Sequence, residues 1–215
     1  MKRGSESILE RYIEKHSFLK EIETPIRDAL DLLESTYRNG GKLLVCGNGG
    51  SCADADHIVG ELVKSFRIRR PLDAVTVAAL KARGTEASLL AEKLEGGLPA
   101  INLGAHSALV TALINDVGPD YVYAQQVIGY GKPEDVLLGI STSGNSKNVL
   151  VAVEAAKALG MKTIGMTGRD GGKMRTCCDI LICAEADATE DIQDIHSTIY
   201  HVVCAVLENQ FWGDH

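Results

Sequence analysis

The sequence predicts an α/β protein, a three-layer α-β-α sandwich around a central parallel sheet, preceded by two N-terminal helices. Three observations carry that expectation. Apolar runs of strand length, at 43–46, 99–103, 135–140, 162–166 and 180–184, alternate with stretches of helical periodicity. Two of the runs end in turns of small residues, Gly47-Asn48-Gly49-Gly50-Ser51 and Ser141-Thr142-Ser143-Gly144-Asn145-Ser146, each leading into a helix. Strands that alternate with helices imply parallel pairing through right-handed crossovers, with helices on both faces. Ligands of such sheets bind beyond the carboxyl ends of the strands, so the two turns are expected to converge on one pocket.

In chain order, residues 5–19 place Ile8, Leu9, Tyr12, Ile13, Phe18 and Leu19 at helical spacing. A second helix starts near Pro25, a favoured first-turn residue, buries Ile26, Leu30, Leu32, Leu33 and Tyr37, and stops at Asn39-Gly40-Gly41. The apolar faces of these two helices exceed what one sheet edge needs, which suggests subunit contacts. The strand at 43–46 and a helix over 51–66 follow. Arg67, Arg69 and Arg70 then form a basic cluster closed by Pro71, either a solvated helix end or a contact for phosphate or carboxylate. Periodicity is weakest over 72–97, where only 87–94 reads as helical. Helices are expected over 105–114, 122–128 and 148–159, and a long one over 190–211 closes the chain.

Composition narrows the function. The chain has 215 residues, 45% of them hydrophobic and 24% charged, as in soluble globular proteins. A formal net charge of −7 argues against nucleic acid as the main partner, because phosphate backbones need a basic face. No apolar run approaches the ~18 residues of a membrane span, and the charged start, MKRGSESILERYIEKH, lacks a signal-peptide core. The six cysteines show no CxxC spacing, and reduced thiols of a cytoplasmic protein are the expectation.

The glycine turn exposes backbone N–H groups at a helix N-terminus, where the helix dipole favours an anion. Ser141, Thr142, Ser143 and Ser146 add four hydroxyls at a second helix N-terminus. Capping needs one or two of them; four suit a dianionic phosphate. Neither turn carries the lysine of a nucleotide-binding P-loop, and GxGxxG is absent. His57 and Glu61 lie one helical turn apart on one face. On the last helix Gln193 and His201, eight residues apart, share roughly one face; His196 and His201, taken alone, also suit partly buried polar positions.

GNGGS, STSGNS, TGRDGGK and the Gln193–His201 spacing, in that order, resemble the sugar isomerase (SIS) domain family, and within it the phosphoheptose isomerases, from about residue 40 to 207. The resemblance implies a single SIS domain over 1–215, with a helical segment at 1–40, and aldose–ketose isomerisation of sedoheptulose 7-phosphate to glycero-manno-heptose 7-phosphate through an enediol. It implies that Ser51, Ser141, Thr142, Ser143 and Ser146 bind the phosphate. Asn48, Gly49, Gly50, Asn115, Asp116, Glu190 and Gln193 would line the sugar site, and Glu61 and His201 would form the acid/base pair. His57, Glu61, Gln193 and His201 match the ligands of a divalent metal, zinc by expectation, and the implied assembly is a homotetramer with interface active sites. A carboxylate facing an imidazole suits proton transfer between C1 and C2, and a metal would polarise the oxygens. Two departures stand out. Ser65 replaces an arginine usual in the family, leaving open whether Arg67, Arg69 or Arg70 substitutes, and residues 72–98 read as an insertion near the active-site mouth. Non-catalytic relatives that bind a sugar phosphate or the replication initiator DnaA are the alternative, but they lack counterparts of Glu61 and His201. Phosphosugar lyases and etherases share the fold.

Overall fold

The computed structural model describes residues 1–213. Five strands, β1 (Leu43–Gly47), β2 (Ala100–Asn102), β3 (Val136–Ile140), β4 (Lys162–Gly168) and β5 (Ile180–Ala184), form one parallel sheet. Its order is β2-β1-β3-β4-β5. The strand order therefore reverses between β1 and β3, and a doubly wound sheet opens its ligand crevice at that switch point. The register aligns Gly47 with Ile140, so the residues that follow each, Asn48 and Ser141, leave the sheet side by side.

Alternating side chains divide between two cores. Leu43, Val45, Val136, Leu138 and Ile140 point to one face, covered by α2 (Glu23–Arg38), α3 (Gly50–Val63) and α10 (Thr189–Trp212). Leu44, Cys46 and Leu137 point to the other, covered by α6 (Ser107–Asp116), α7 (Val122–Tyr130), α8 (Lys147–Ala158) and the single turn α9 (Met174–Cys177). Strands buried on both sides read as continuous apolar runs, which is why the sequence marked them clearly. At the opposite end of the sheet the buried Asp135 accepts the amides of Lys42 (2.9 Å) and Lys132 (2.8 Å) and so pins the entries to β1 and β3.

The N-terminal helices pack on the sheet. The first, α1 (Arg3–Lys15), buries Leu9 and lays Ile8, Tyr12 and Ile13 on the core shared with α10, while α2 buries Ile26, Leu30, Leu33 and Tyr37 beneath it. Ile8, Tyr12, Ile13, Phe18 and Leu32 remain partly exposed. Large apolar side chains stand exposed elsewhere: Val63 at the end of α3, Ile114 and Val117 at the end of α6, and Tyr121 and Ile128 near α7.

Residues 72–98 contain two helices, α4 (Ala74–Lys81) and α5 (Thr85–Lys93), neither with a buried residue. The second coincides with the expected helix at 87–94. The first was not legible, because AVTVAALK has no polar stripe to set a helical period; the signal lay in Asp73, whose carboxylate caps Val75 and Thr76. No helix among the described residues is long and apolar enough to cross a membrane.

Candidate active site

The glycine turn begins where β1 ends. Gly47 packs against Ser51, and an added Cβ would sit 2.8 Å from the Ser51 Cβ. Gly49 adopts φ +55°, a left-handed conformation, as the residue preceding α3. Ser51 is thereby buried in the first turn of α3. The Tyr123 hydroxyl, from α7, donates to the Gly47 carbonyl and lies 3.2 Å from Asn48 Oδ1. Asn48 and Asn148 exchange amide hydrogen bonds, both 2.9 Å, across the crevice between the two turns.

The serine turn keeps its hydroxyls within the turn. Ser146 precedes α8, but its side chain caps no backbone amide and meets Ser141 Oγ at 2.9 Å instead. Ser143 is exposed, with its Oγ accepting from the Asn145 amide (3.2 Å). The TGRDGGK segment braces this turn from behind. A side chain on Gly144 (φ +63°) would collide with the Gly171 carbonyl, and one on Gly172 with the Ser143 carbonyl. Asn145 closes the brace, accepting from the Lys173 amide at 3.1 Å. A cleft of about 230 Å³ opens beside it, lined by Thr142, Ser143, Asn145, Arg169, Asp187 and Ile192. The hydroxyls and the N-terminus of α8 make this end of the crevice suited to a phosphate.

The predicted acid/base groups converge. His57 Nε2 lies 3.2 Å from Glu61 Oε1, and His201 Nε2 lies 3.4 Å from His57 Nε2. Glu61 Oε2 is buried without a hydrogen-bond partner. Burial first, and the neighbouring His57 second, push the His201 imidazole below its ordinary pKa, with Glu61 opposing. Gln193 sits elsewhere in the pocket: its amide lies against Gly50, where an added Cβ would collide with Nε2. It joins the glycine turn to α10 and makes no hydrogen bond to His57, Glu61 or His201. Among the described residues, no group of three or more His, Cys, Asp or Glu side chains is arranged to hold a metal ion.

Other expected residues stand apart. Asn115 and Asp116, at the end of α6, are exposed and hydrogen-bond each other (2.8 Å), with no hydrogen bond to either turn. Glu190 is exposed in the first turn of α10. His196 is a core residue, with Nε2 donating to the Thr167 carbonyl at 3.0 Å. Of the basic cluster, Arg67 and Arg69 are exposed, but Arg70 is fully buried and pairs with Glu208. It is neither a solvated helix end nor a free phosphate ligand.

Several participants escaped the sequence. The Tyr200 hydroxyl lies 3.1 Å from His57 Nδ1, and Phe66 stacks on His201 at 5.7 Å between ring centres. Asp54, one turn before His57, faces Tyr200, and burial raises its carboxyl pKa. Tyr200 and Asp54 were findable: each is a helical neighbour of a singled-out residue. Phe66, Tyr123 and Asn148 carry no local signal.

Comparison with known proteins follows this geometry. The family profile described as "SIS domain" matches residues 10–101 and 86–168. A phosphoheptose isomerase of Helicobacter pylori (strain P12) is 40% identical over 193 residues, covering 90% of this chain and 88% of its own. One from Aliarcobacter butzleri is 38% identical over 199 residues, covering 91% and 92%. Among solved structures, phosphoheptose isomerase GmhA from Neisseria gonorrhoeae superposes with a TM-score of 0.71 at 33% identity, over 95% of this chain and 98% of that one. A phosphoheptose isomerase from Francisella tularensis gives 0.75 at 32% identity, over 95% and 96%.

Proposed function

Because the chain belongs to the SIS domain family and, within it, to the phosphoheptose isomerases, we propose that it interconverts sedoheptulose 7-phosphate and glycero-manno-heptose 7-phosphate. The observation that carries the proposal is the convergence of Glu61 and His201 on His57 at the crevice that also holds two phosphate-type turns. The phosphate sits on the hydroxyls of Ser51, Ser141, Thr142, Ser143 and Ser146. The sugar chain runs from there past Asn48 and Gln193 toward Glu61. One member of the Glu61–His201 pair takes the carbon-bound proton, and the other serves the oxygen, giving the enediol and then the isomer. Each such positioned group contributes roughly 10²–10⁴-fold.

The proton arrangement bears on a metal. His57 Nδ1 lies 3.1 Å from the Tyr200 hydroxyl, and its Nε2 faces both Glu61 Oε1 and His201 Nε2. A bound cation would relieve that crowding, with the Tyr200 hydroxyl orienting the His57 ring from its other nitrogen. On the family resemblance, we propose that His57, Glu61 and His201, with Gln193 the fourth candidate, would hold zinc, which would polarise the carbonyl and adjacent hydroxyl oxygens. Metal content of the purified protein, against that of His57→Ala, tests this assignment without an activity measurement.

We also propose a homotetramer with active sites at subunit interfaces. Exposed Ile114, Val117 and Tyr121 surround Asn115 and Asp116, which suits a surface that delivers these two polar residues to a neighbour's crevice. Residues 72–98, rooted beside the end of α3, are proposed to shape substrate choice. The six free cysteines fit a reducing compartment, the cytoplasm.

The test is conversion of sedoheptulose 7-phosphate followed by NMR, with sedoheptulose and shorter ketose phosphates alongside. Turnover confined to the heptose phosphate supports the proposal. Binding without turnover of any substrate points to a sugar-phosphate-binding protein instead.

A further inference from the structure

The end of α3 that carries Glu61 is held by a buried ionic node with no place in the reaction itself. Arg70 is fully buried, and its three nitrogens are all used. Nε pairs with Glu208 Oε1 at 2.8 Å, Nη1 donates to the Leu62 carbonyl and Nη2 to the Glu61 carbonyl, both at 2.6 Å. These are last-turn carbonyls of α3, which have no partner within the helix. Glu208, 1% exposed, lies on α10 two turns beyond His201. Besides Arg70 it accepts the amides of Phe66 (2.7 Å), Arg67 (2.8 Å) and Ile68 (3.2 Å). Phe66 in turn stacks on His201. The Trp212 ring covers Arg70, with its guanidinium carbon 5.0 Å from the ring centre.

We propose that Arg70 and Glu208 are positioning residues that fix the distance between Glu61 and His201. The proposal rests on the assignment of those two as the acid/base pair. The two groups lie on different helices, and the node joins the backbone of one to the side-chain support of the other. A capped last turn keeps the Glu61 Cα in one place; a frayed one lets its carboxylate move. Misplacement of a reacting group by about 1 Å costs on the order of 10²-fold in rate.

The test separates positioning from stability. The double variant Arg70→Met/Glu208→Leu removes both charges together, and Arg70→Lys keeps the charge but cannot serve Glu208 and two carbonyls at once. Melting temperature, kcat and KM are measured for each, beside Glu61→Gln. Expected for both is a fall in kcat of at least ~10-fold, with KM within about 2-fold of wild type, because the phosphate grip is untouched. The double variant should melt below the wild type, because it leaves the Phe66, Arg67 and Ile68 amides and the Glu61 carbonyl without their partners. A folded double variant, or Arg70→Lys, with wild-type kcat overturns the proposal; so does a raised KM at unchanged kcat. If the double variant does not fold, Arg70→Lys decides. An active Glu61→Gln enzyme removes the premise instead.

Discussion

Three glycine substitutions provide an internally controlled test of how the serine turn is held. Gly144 has φ +63°, and its missing side chain leaves room for the Gly171 carbonyl. In Gly144→Ala the left-handed conformation costs about 1 kcal/mol. The new Cβ must also displace a backbone carbonyl that belongs to a second glycine turn, and overpacking of this kind costs roughly 1–3 kcal/mol. The sum, about 2–4 kcal/mol, lowers the melting temperature by roughly 4–16 °C in a protein of this size. Gly40 (φ +79°) has nothing within 4 Å of its absent Cβ, so Gly40→Ala carries the conformational cost alone, about 1 kcal/mol. Gly60 lies inside α3 at ordinary φ with equally open space, so Gly60→Ala stabilises by roughly 0.5–1 kcal/mol. Thermal melts read the order, and KM for the sugar phosphate should rise in Gly144→Ala alone, because only that turn carries the phosphate hydroxyls. If Gly144→Ala melts with Gly40→Ala, the interlock of the two turns does not exist as described.

Other consequences can be checked independently. Burial lowers the pKa of His196 despite its bond to the Thr167 carbonyl, so below the ordinary value of about 6.5 the unfolded chain takes up a proton that the native one refuses; stability is full above that pH and declines as pH falls through it, and urea melts of His196→Gln should show a shallower decline. Tyr200→Phe removes the hydroxyl at His57 Nδ1 and is expected to lower kcat roughly 10-fold with little change in folding, about the 1.4 kcal/mol of one hydrogen bond; unchanged kcat would detach Tyr200 from the reaction. Tyr123→Phe leaves the Gly47 carbonyl without its buried donor, which should cost about 1–3 kcal/mol in urea melts; a cost near zero would mean that water replaces it. Burial drives the Cys178 thiol up to about 12, so its alkylation at pH 7 should be slow and accelerate only on unfolding; rapid labelling of the native protein contradicts that burial.

Much of the fold was legible because parallel strands buried on both faces are continuous apolar runs, and Leu43, Leu44 and Val45 already announce β1. The strand order was not legible in any local pattern. It comes from which apolar faces fit together, yet it decides that the crevice lies between β1 and β3. Of the site, the two turns and the His57–Glu61 pair were readable from short-range spacing. The approach of His201 to His57 spans 144 residues and came from resemblance alone. Gln193 illustrates the limit: the right face of the right helix placed it against Gly50 rather than among the histidines. The arginine cluster misled for a physical reason. A guanidinium beside Pro71 looks solvated until its partner Glu208 arrives from 138 residues away. Nothing local in the sequence distinguishes Arg70 from Arg67 or Arg69.

The central claim is that Glu61 and His201 act together on a phosphate-held sugar. It is tested most directly by NMR assay of sedoheptulose 7-phosphate with the wild type, Glu61→Gln and His201→Ala. The expected result is formation of the aldose phosphate by the wild type and at least a ~10²-fold loss in each variant, with phosphate-dependent binding retained in both. No turnover by the wild type, or undiminished turnover by the two variants, would contradict the account.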